Sequence, residues 1–199
     1  YKRQGHDLKE VKSYSSSKNK LLNLFKKCSK MMMTLRELPQ PVIACVDGIA
    51  AAAGCQLVAS CDLVIATKDS TFVTPGVNIG LFCSTPMVAI SRKVAPKDMM
   101  YMLLTGEQIT ASKAKSNKLI NIVTEKKDFQ KEINKITKKL VKKSFQSIKI
   151  GKVAFYKQLE MSLNKAYNYT SEVMTKNMQS KEAKEGITAF MKKRKPNWS

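Results

Sequence analysis

Two runs of uninterrupted apolar residues stand in the middle of the chain, P-V-I-A-C-V at 41–46 and L-V-I-A at 63–66. Such runs, without polar alternation, are what a strand covered on both faces presents, so each predicts a fully buried strand. Between them G-C-Q-L-V-A-S at 54–60 has the length and composition of a short helix. The three segments form a β-α-β unit, and its strands are expected to pair in parallel. Upstream, Leu21, Leu22, Phe25, Cys28, Met32 and Leu35 recur at three to four residues and predict an amphipathic helix ending near Pro39. Downstream, 85–94 and 96–104 predict helices and L-I-N-I-V at 119–123 a short strand. Phe129, Ile133, Ile136 and Leu140 mark a further helix, Ile150, Ala154, Tyr156 and Leu159 another, and 163–184 a last one. The pattern therefore predicts an α/β core at 1–125 and a helical C-terminal section at 126–199, with no internal repeat and no flexible linker.

Charge sharpens this division. Between residues 39 and 90 the acids and lysines reduce to Asp47, Asp62, Lys68 and Asp69, with both flanks dense in lysine, so the middle is the buried part. The net charge of +21 arises from 36 basic and 15 acidic residues, but only Arg3, Arg36, Arg92 and Arg194 are arginines. Base readers favour arginine for bidentate contacts, so lysines spread over many helix faces argue for a solvated surface or an anionic small ligand. Nucleic acid is disfavoured as a partner. The five cysteines, Cys28, Cys45, Cys55, Cys61 and Cys83, contain no C-x-x-C pair, which suggests neither a disulfide framework nor a zinc site. Asp47 and Gly48 interrupt the best apolar stretch, so no transmembrane segment is expected. The chain opens on Tyr1 and shows no targeting peptide, and any address is expected to lie outside it.

The stretch D-G-I-A-A-A-A-G-C-Q-L at 47–57 places four consecutive alanines before the short helix. A strand that passes through small residues into a helix offers free N–H groups, with the positive end of the helix dipole behind them. If the N–H of Ala53 faces a pocket it can stabilise an oxyanion forming on a carbonyl, an interaction worth roughly 3–4 kcal/mol per donor in acyl chemistry. The same alanines would also permit close packing of helix on strand, and taken by themselves they favour that plainer reading.

Four segments together resemble the enoyl-CoA hydratase/isomerase (crotonase) superfamily: G-H-D-L-K-E at 5–10, P-V-I-A-x-V-D-G-I-A-x-A-A-G-C-Q-L-x-x-x-C-D at 41–62, T-P-G-V-N-I-G-L at 74–81 and E-G-I-T-A-F-M-K-K-R-K-P-N-W at 185–198. They occur in the family's order. The resemblance implies a crotonase-like (ClpP/crotonase) β-β-α superhelix core whose first strands lie outside this chain. It implies oxyanion-hole amides at His6 and Ala53, the latter replacing a common glycine, and a CoA moiety beside Asp7 and Leu8. Phe190 and Lys193 match positions that approach the CoA of a neighbouring subunit. The implied partners are an acyl-CoA thioester and further copies of the chain, as a trimer or a dimer of trimers assembled through 126–199. No bound cofactor is implied, coenzyme A entering as part of the substrate. Likeness to mitochondrial members implies a mitochondrial location.

The departures bear on chemistry. Family hydratases use two glutamates, and the matching positions here are Gln56 and Gly76, neither of which can move a proton. Weak or absent hydratase activity is therefore expected. Ser84 falls where some family isomerases and hydrolases carry an aspartate, and makes a candidate catalytic residue flanked by Cys83 and Thr85. A nucleophile there would need a base, and His6 is the chain's one histidine. The C-S-T segment alternatively reads as a helix entry with Ser84 or Thr85 as N-cap before Pro86. Other chemistry on acyl-CoA (decarboxylation, hydrolysis or isomerisation) remains an alternative function, and a basic protein binding nucleic acid or a membrane surface is a second. Ile187, Phe190 and Met191 form an apolar stripe expected to dock on the core or on a neighbouring subunit.

Overall fold

The computed structural model describes residues 5–198. The chain divides into two compact units, one running to Leu35 and resuming over Val42–Ile133, the other formed by Arg36–Pro41 and the chain from Asn134 onward. Asp7 caps α1 (Leu8–Ser13) by accepting the Lys9 amide at 2.8 Å, and α2 (Lys18–Glu37) follows. Next come β1 (Ile43–Val46), β2 (Ile49–Ala51) and α3 (Ala53–Ser60), and then β3 (Leu63–Thr67) and β4 (Thr71–Val73). A 3₁₀ turn (Pro75–Ile79) leads to α4 (Ser84–Ile90). The unit continues with α5 (Pro96–Thr105), β5 (Ile109–Thr110), α6 (Ala111–Ser116) and β6 (Ile122–Thr124), and α7 (Phe129–Leu140) leaves it.

Each β-β-α passage splits its two strands between two sheets. β1, β3 and β6 form one sheet, all parallel, with Ile43 opposite Leu63 and Ile65 opposite Ile122. β2 and β4 pair in parallel in the other, Ile49 opposite Thr71, and β5 closes it antiparallel. The corners between sheets are fastened by polar groups. Gly48, at φ 118°, donates its N–H to Ser70 Oγ at 3.2 Å, and Ser70 Oγ donates to the Val46 carbonyl at 3.0 Å. Thr67 Oγ1 completes the network, 2.8 Å from Ser70 Oγ and donating to Asp47 at 3.2 Å. Phe72, Ile65, Ile90 and Met102 are among the largest wholly buried side chains.

The expected parallel pair is present, but β1 is half-buried with Cys45 exposed, because it is an edge strand bonded only to β3 among the described residues. The strand expected at 119–123 begins later: Leu119 and Ile120 are buried, and Asn121 turns its Oδ1 to the Val64 amide at 2.8 Å before β6 starts. β2 and β4 escape the hydrophobic pattern, since the alanines of β2 are poor strand formers and both strands are three residues long and depend on pairing, β2 with β4 and β4 also with β5.

In the second unit α8 (Phe145–Gln158), α9 (Leu163–Met178) and α10 (Lys181–Met191) pack together. The single helix expected over 163–184 is two, because Ser180 leaves the helix and caps α10, its Oγ accepting the Ala183 amide at 3.1 Å. After α10 the chain turns through Lys193 (φ 51°) and folds back. Arg194 donates to both Glu185 oxygens at 2.6 and 2.8 Å, the Asn197 amide donates to Glu185 at 2.8 Å, and Trp198 Nε1 donates to the Lys142 carbonyl at 2.9 Å. These hydrogen bonds, chiefly from Arg194, lower the Glu185 pKa from 4.5 to about 2. A carboxylate depressed in the folded chain supports it above the ordinary value and ceases to as pH falls through the folded one. Fluorescence of Trp198, the chain's one tryptophan, is therefore expected to shift to the red between about pH 4.5 and 2, and in Glu185→Gln to be shifted already at neutral pH. An unchanged emission in that variant would show that the clasp does not hold the tail.

Candidate functional site

The link between β2 and α3 fixes the site. Ala52 has φ 48° and ψ −117°, a conformation that favours glycine and costs an alanine on the order of 1–3 kcal/mol. It turns the chain so that Ala53 opens α3 with an N–H that has no intrahelical acceptor, and none is found among the described residues. Gly5 sits directly against it. At φ 94° a Cβ on Gly5 would lie 3.1 Å from the Ala53 nitrogen and 3.2 Å from Ala52 Cβ, so the 5–8 loop reaches α3 because residue 5 has no side chain. The His6 amide likewise makes no hydrogen bond to the described residues, while its ring packs edge-on against Phe25 with centroids 5.3 Å apart.

Gly5, His6, Ala53 and Gly54 share one cavity of about 490 Å³. Its opposite wall comes from α2, with Leu24, Lys27, Cys28 and Met31 at helical spacing and Met32 beside them, and Leu57 joins from α3. The site residues expected at His6 and Ala53 are thus brought together. Asp7 is exposed and occupied as the α1 cap, and Leu8 is 58% exposed as the first residue of that helix. Phe190 and Lys193 belong to the other unit, where Phe190 is 85% exposed and Lys193 forms the turn after α10.

Gln56, on the second turn of α3, is 3% exposed, and its Oε1 has no hydrogen-bond partner among the described residues. A buried amide oxygen in that state calls for a water or a ligand donor. Gly76 lies in the 3₁₀ turn with φ outside the positive range. A Cβ there would meet Cys83 Sγ and the Leu81 carbonyl oxygen at 3.0 Å each, so the loop closes on the missing side chain. Burial, reinforced by Cys83, pushes the Cys55 thiol up to about 12, with a hydrogen bond involving the Val73 backbone opposing it. Burial also raises Cys83 against a hydrogen bond to the Gly76 backbone. Both remain protonated thiols at neutral pH and are poor nucleophiles. Ser84 is exposed, its Oγ donates to the Phe82 carbonyl at 3.4 Å, and it bonds to no imidazole or carboxylate among the described residues. It is the first residue of α4, whose N-cap is Cys83 without a side-chain cap bond, so the expected Ser84 or Thr85 cap is not formed.

Gly5, Ala52 and the α2 wall were not singled out from sequence. For α2 a signal was present: Leu24, Lys27, Cys28 and Met31 stand at i, i+3, i+4 and i+7, overlapping the apolar stripe at Cys28.

Residues 3–199 match the model of the enoyl-CoA hydratase/isomerase family. The chain is 48% identical over 195 residues to human enoyl-CoA hydratase domain-containing protein 3, mitochondrial, covering 98% of this chain and 64% of that protein. It therefore spans less than two thirds of the relative's length. The crystal structure of the same human protein superposes with a TM-score of 0.94 at 47% identity, covering 98% of this chain and 77% of that one. An enoyl-CoA hydratase structure from Mycobacterium smegmatis superposes at 0.96 with 45% identity, covering 98% and 76%. The fold is crotonase-like.

Proposed function

The chain belongs to the enoyl-CoA hydratase/isomerase family, and from that premise we propose that it binds an acyl-CoA thioester with the carbonyl oxygen between the His6 and Ala53 amides, while hydrating enoyl thioesters weakly or not at all. The observation that carries this reading is the contact of Gly5 with the Ala53 nitrogen, since it puts two amides without acceptors on one cavity. Amides aimed at a carbonyl oxygen strengthen as negative charge gathers on it. They serve hydration, isomerisation and decarboxylation alike, so the reaction depends on which proton donor or acceptor stands nearby. Here Gln56 and Gly76 supply neither.

Coenzyme A enters as part of the substrate. Mitochondrial residence is supported by relatives whose names carry that location. Self-association through the C-terminal helices, as a trimer or a dimer of trimers, is supported by the stripe on α10, where Phe190 and Met191 are 85% and 77% exposed.

Titration calorimetry of the full chain with butyryl-CoA at low ionic strength tests the reading. Saturable binding is expected, weakening as salt rises because the protein carries a net charge of +21 and the nucleotide is anionic. Absence of measurable heat and of competition by free CoA would overturn it.

A further inference from the structure

We propose that Lys27 selects acyl groups that end in a carboxylate, an inference that rests on the thioester-binding reading of the same cavity. On α2 the residues that line the cavity are Leu24, Lys27, Cys28, Met31 and Met32, and four of those five side chains are apolar or weakly polar. Leu57 of α3 adds further apolar wall. Lys27 is the one lysine, arginine or carboxylic acid among the described residues that line this cavity. It also has no ion pair or hydrogen bond among the described residues, whereas Lys68, Lys113 and Lys126 each meet an acid within 3.3 Å.

Lys27 is exposed, so its ammonium stays hydrated until an anion reaches it. A neutral acyl chain gains nothing from it, whereas a carboxylate brought to the wall gains a charge-assisted hydrogen bond. The source of the anion matters, because the nucleotide of coenzyme A is also negative. A single cation set among apolar side chains suits an anion carried on a hydrocarbon chain. Phosphates that bear several charges are more commonly met by clustered cations or bidentate arginine, and among the described residues no arginine lines this cavity.

The experiment compares glutaryl-CoA with pentanoyl-CoA, which share a five-carbon acyl chain, by calorimetry on the full chain and on Lys27→Met. The wild type is expected to bind the glutaryl thioester about five- to tenfold more tightly, in the range of one partly exposed charge-assisted hydrogen bond. Lys27→Met, which keeps the length and apolar bulk of the side chain, should remove that preference and leave pentanoyl-CoA bound at least as well. Glutaryl and pentanoyl thioesters of N-acetylcysteamine, which carry no phosphate, should show the same preference and the same loss. Equal affinity for the two CoA thioesters in the wild type, or a preference that survives Lys27→Met, would overturn the inference while leaving the thioester reading intact. If Lys27→Met weakened both CoA thioesters and free CoA alike, the lysine would belong to the phosphates and the inference would fall. Binding of neither thioester would remove the inference and the reading beneath it together.

Discussion

Crotonyl-CoA mixed with the full chain is expected to bind and to remain unhydrated, its enoyl absorbance falling no faster than in buffer with an equal concentration of an unrelated protein. A positioned acid or base typically contributes ~10²–10⁴-fold, and the two positions that the family resemblance matches to its glutamates hold residues that cannot exchange a proton, Gln56 and Gly76. The nucleophile candidates among the described residues do not replace those glutamates. Cys55 and Cys83 are held as thiols by burial, and Ser84 is exposed with no base bonded to it among the described residues. Gln56 Oε1 can accept a hydrogen bond and hold a water in place, but an amide does not deprotonate that water. Hydration at ordinary enzyme rates, roughly 1–10³ s⁻¹, would mean that the acids come from elsewhere and would sink the expectation.

Restoring both carboxylates should reverse the deficit. Gln56→Glu combined with Gly76→Glu is expected to raise hydration about 10²-fold or more over the wild type, with either change alone doing little, because the two groups act together on one water. The backbone at Gly76 does not oppose this, since its φ lies outside the positive range. Space does oppose it: the new Cβ would meet Cys83 Sγ and the Leu81 carbonyl oxygen at 3.0 Å, and overpacking of this kind typically costs about 1–3 kcal/mol. Adding Cys83→Ala removes the sulfur and leaves the Leu81 carbonyl oxygen and, at 3.2 Å, the Cys83 backbone nitrogen to give way. At position 56, 97% covered as Gln56 now is, burial would raise the pKa of the introduced Glu, so hydration that uses it as a base should increase with pH through a value above the ordinary ~4.3. Melting temperature is measured first. A double or triple variant that melts within a few degrees of wild type and still fails to hydrate crotonyl-CoA would show that the missing acids are not what silences the site.

Legibility from sequence followed the range of the forces involved. The helix over 18–37 and the parallel pair β1–β3 could be read because periodic or continuous hydrophobicity is a local consequence of burial. β2 and β4 could not, because a three-residue strand has no local stability and takes its hydrogen bonds from a partner twenty-two residues away, Ile49 to Thr71. The break at Ser180 was visible in principle as a capping serine, but the apolar positions on either side of it keep helical spacing, and the periodicity hid it.

At the site, the residue types and their order along the chain were settled by sequence alone: small residues before a short helix at 50–54, the amide Gln56, the glycine Gly76 and the loop from Gly5 to Leu8. Those are covalent facts, and with them come the absence of a second imidazole and of both carboxylates, which no folding can supply. Tertiary structure alone decided that Gly5 packs on the Ala53 nitrogen, that Ala52 carries the left-handed turn, and that Lys27 faces the same cavity as the two amides. The first and last of these join segments separated by twenty or more residues. Their encounter depends on how α2 and α3 pack, and packing minimises a sum over the whole core that no short window of sequence contains.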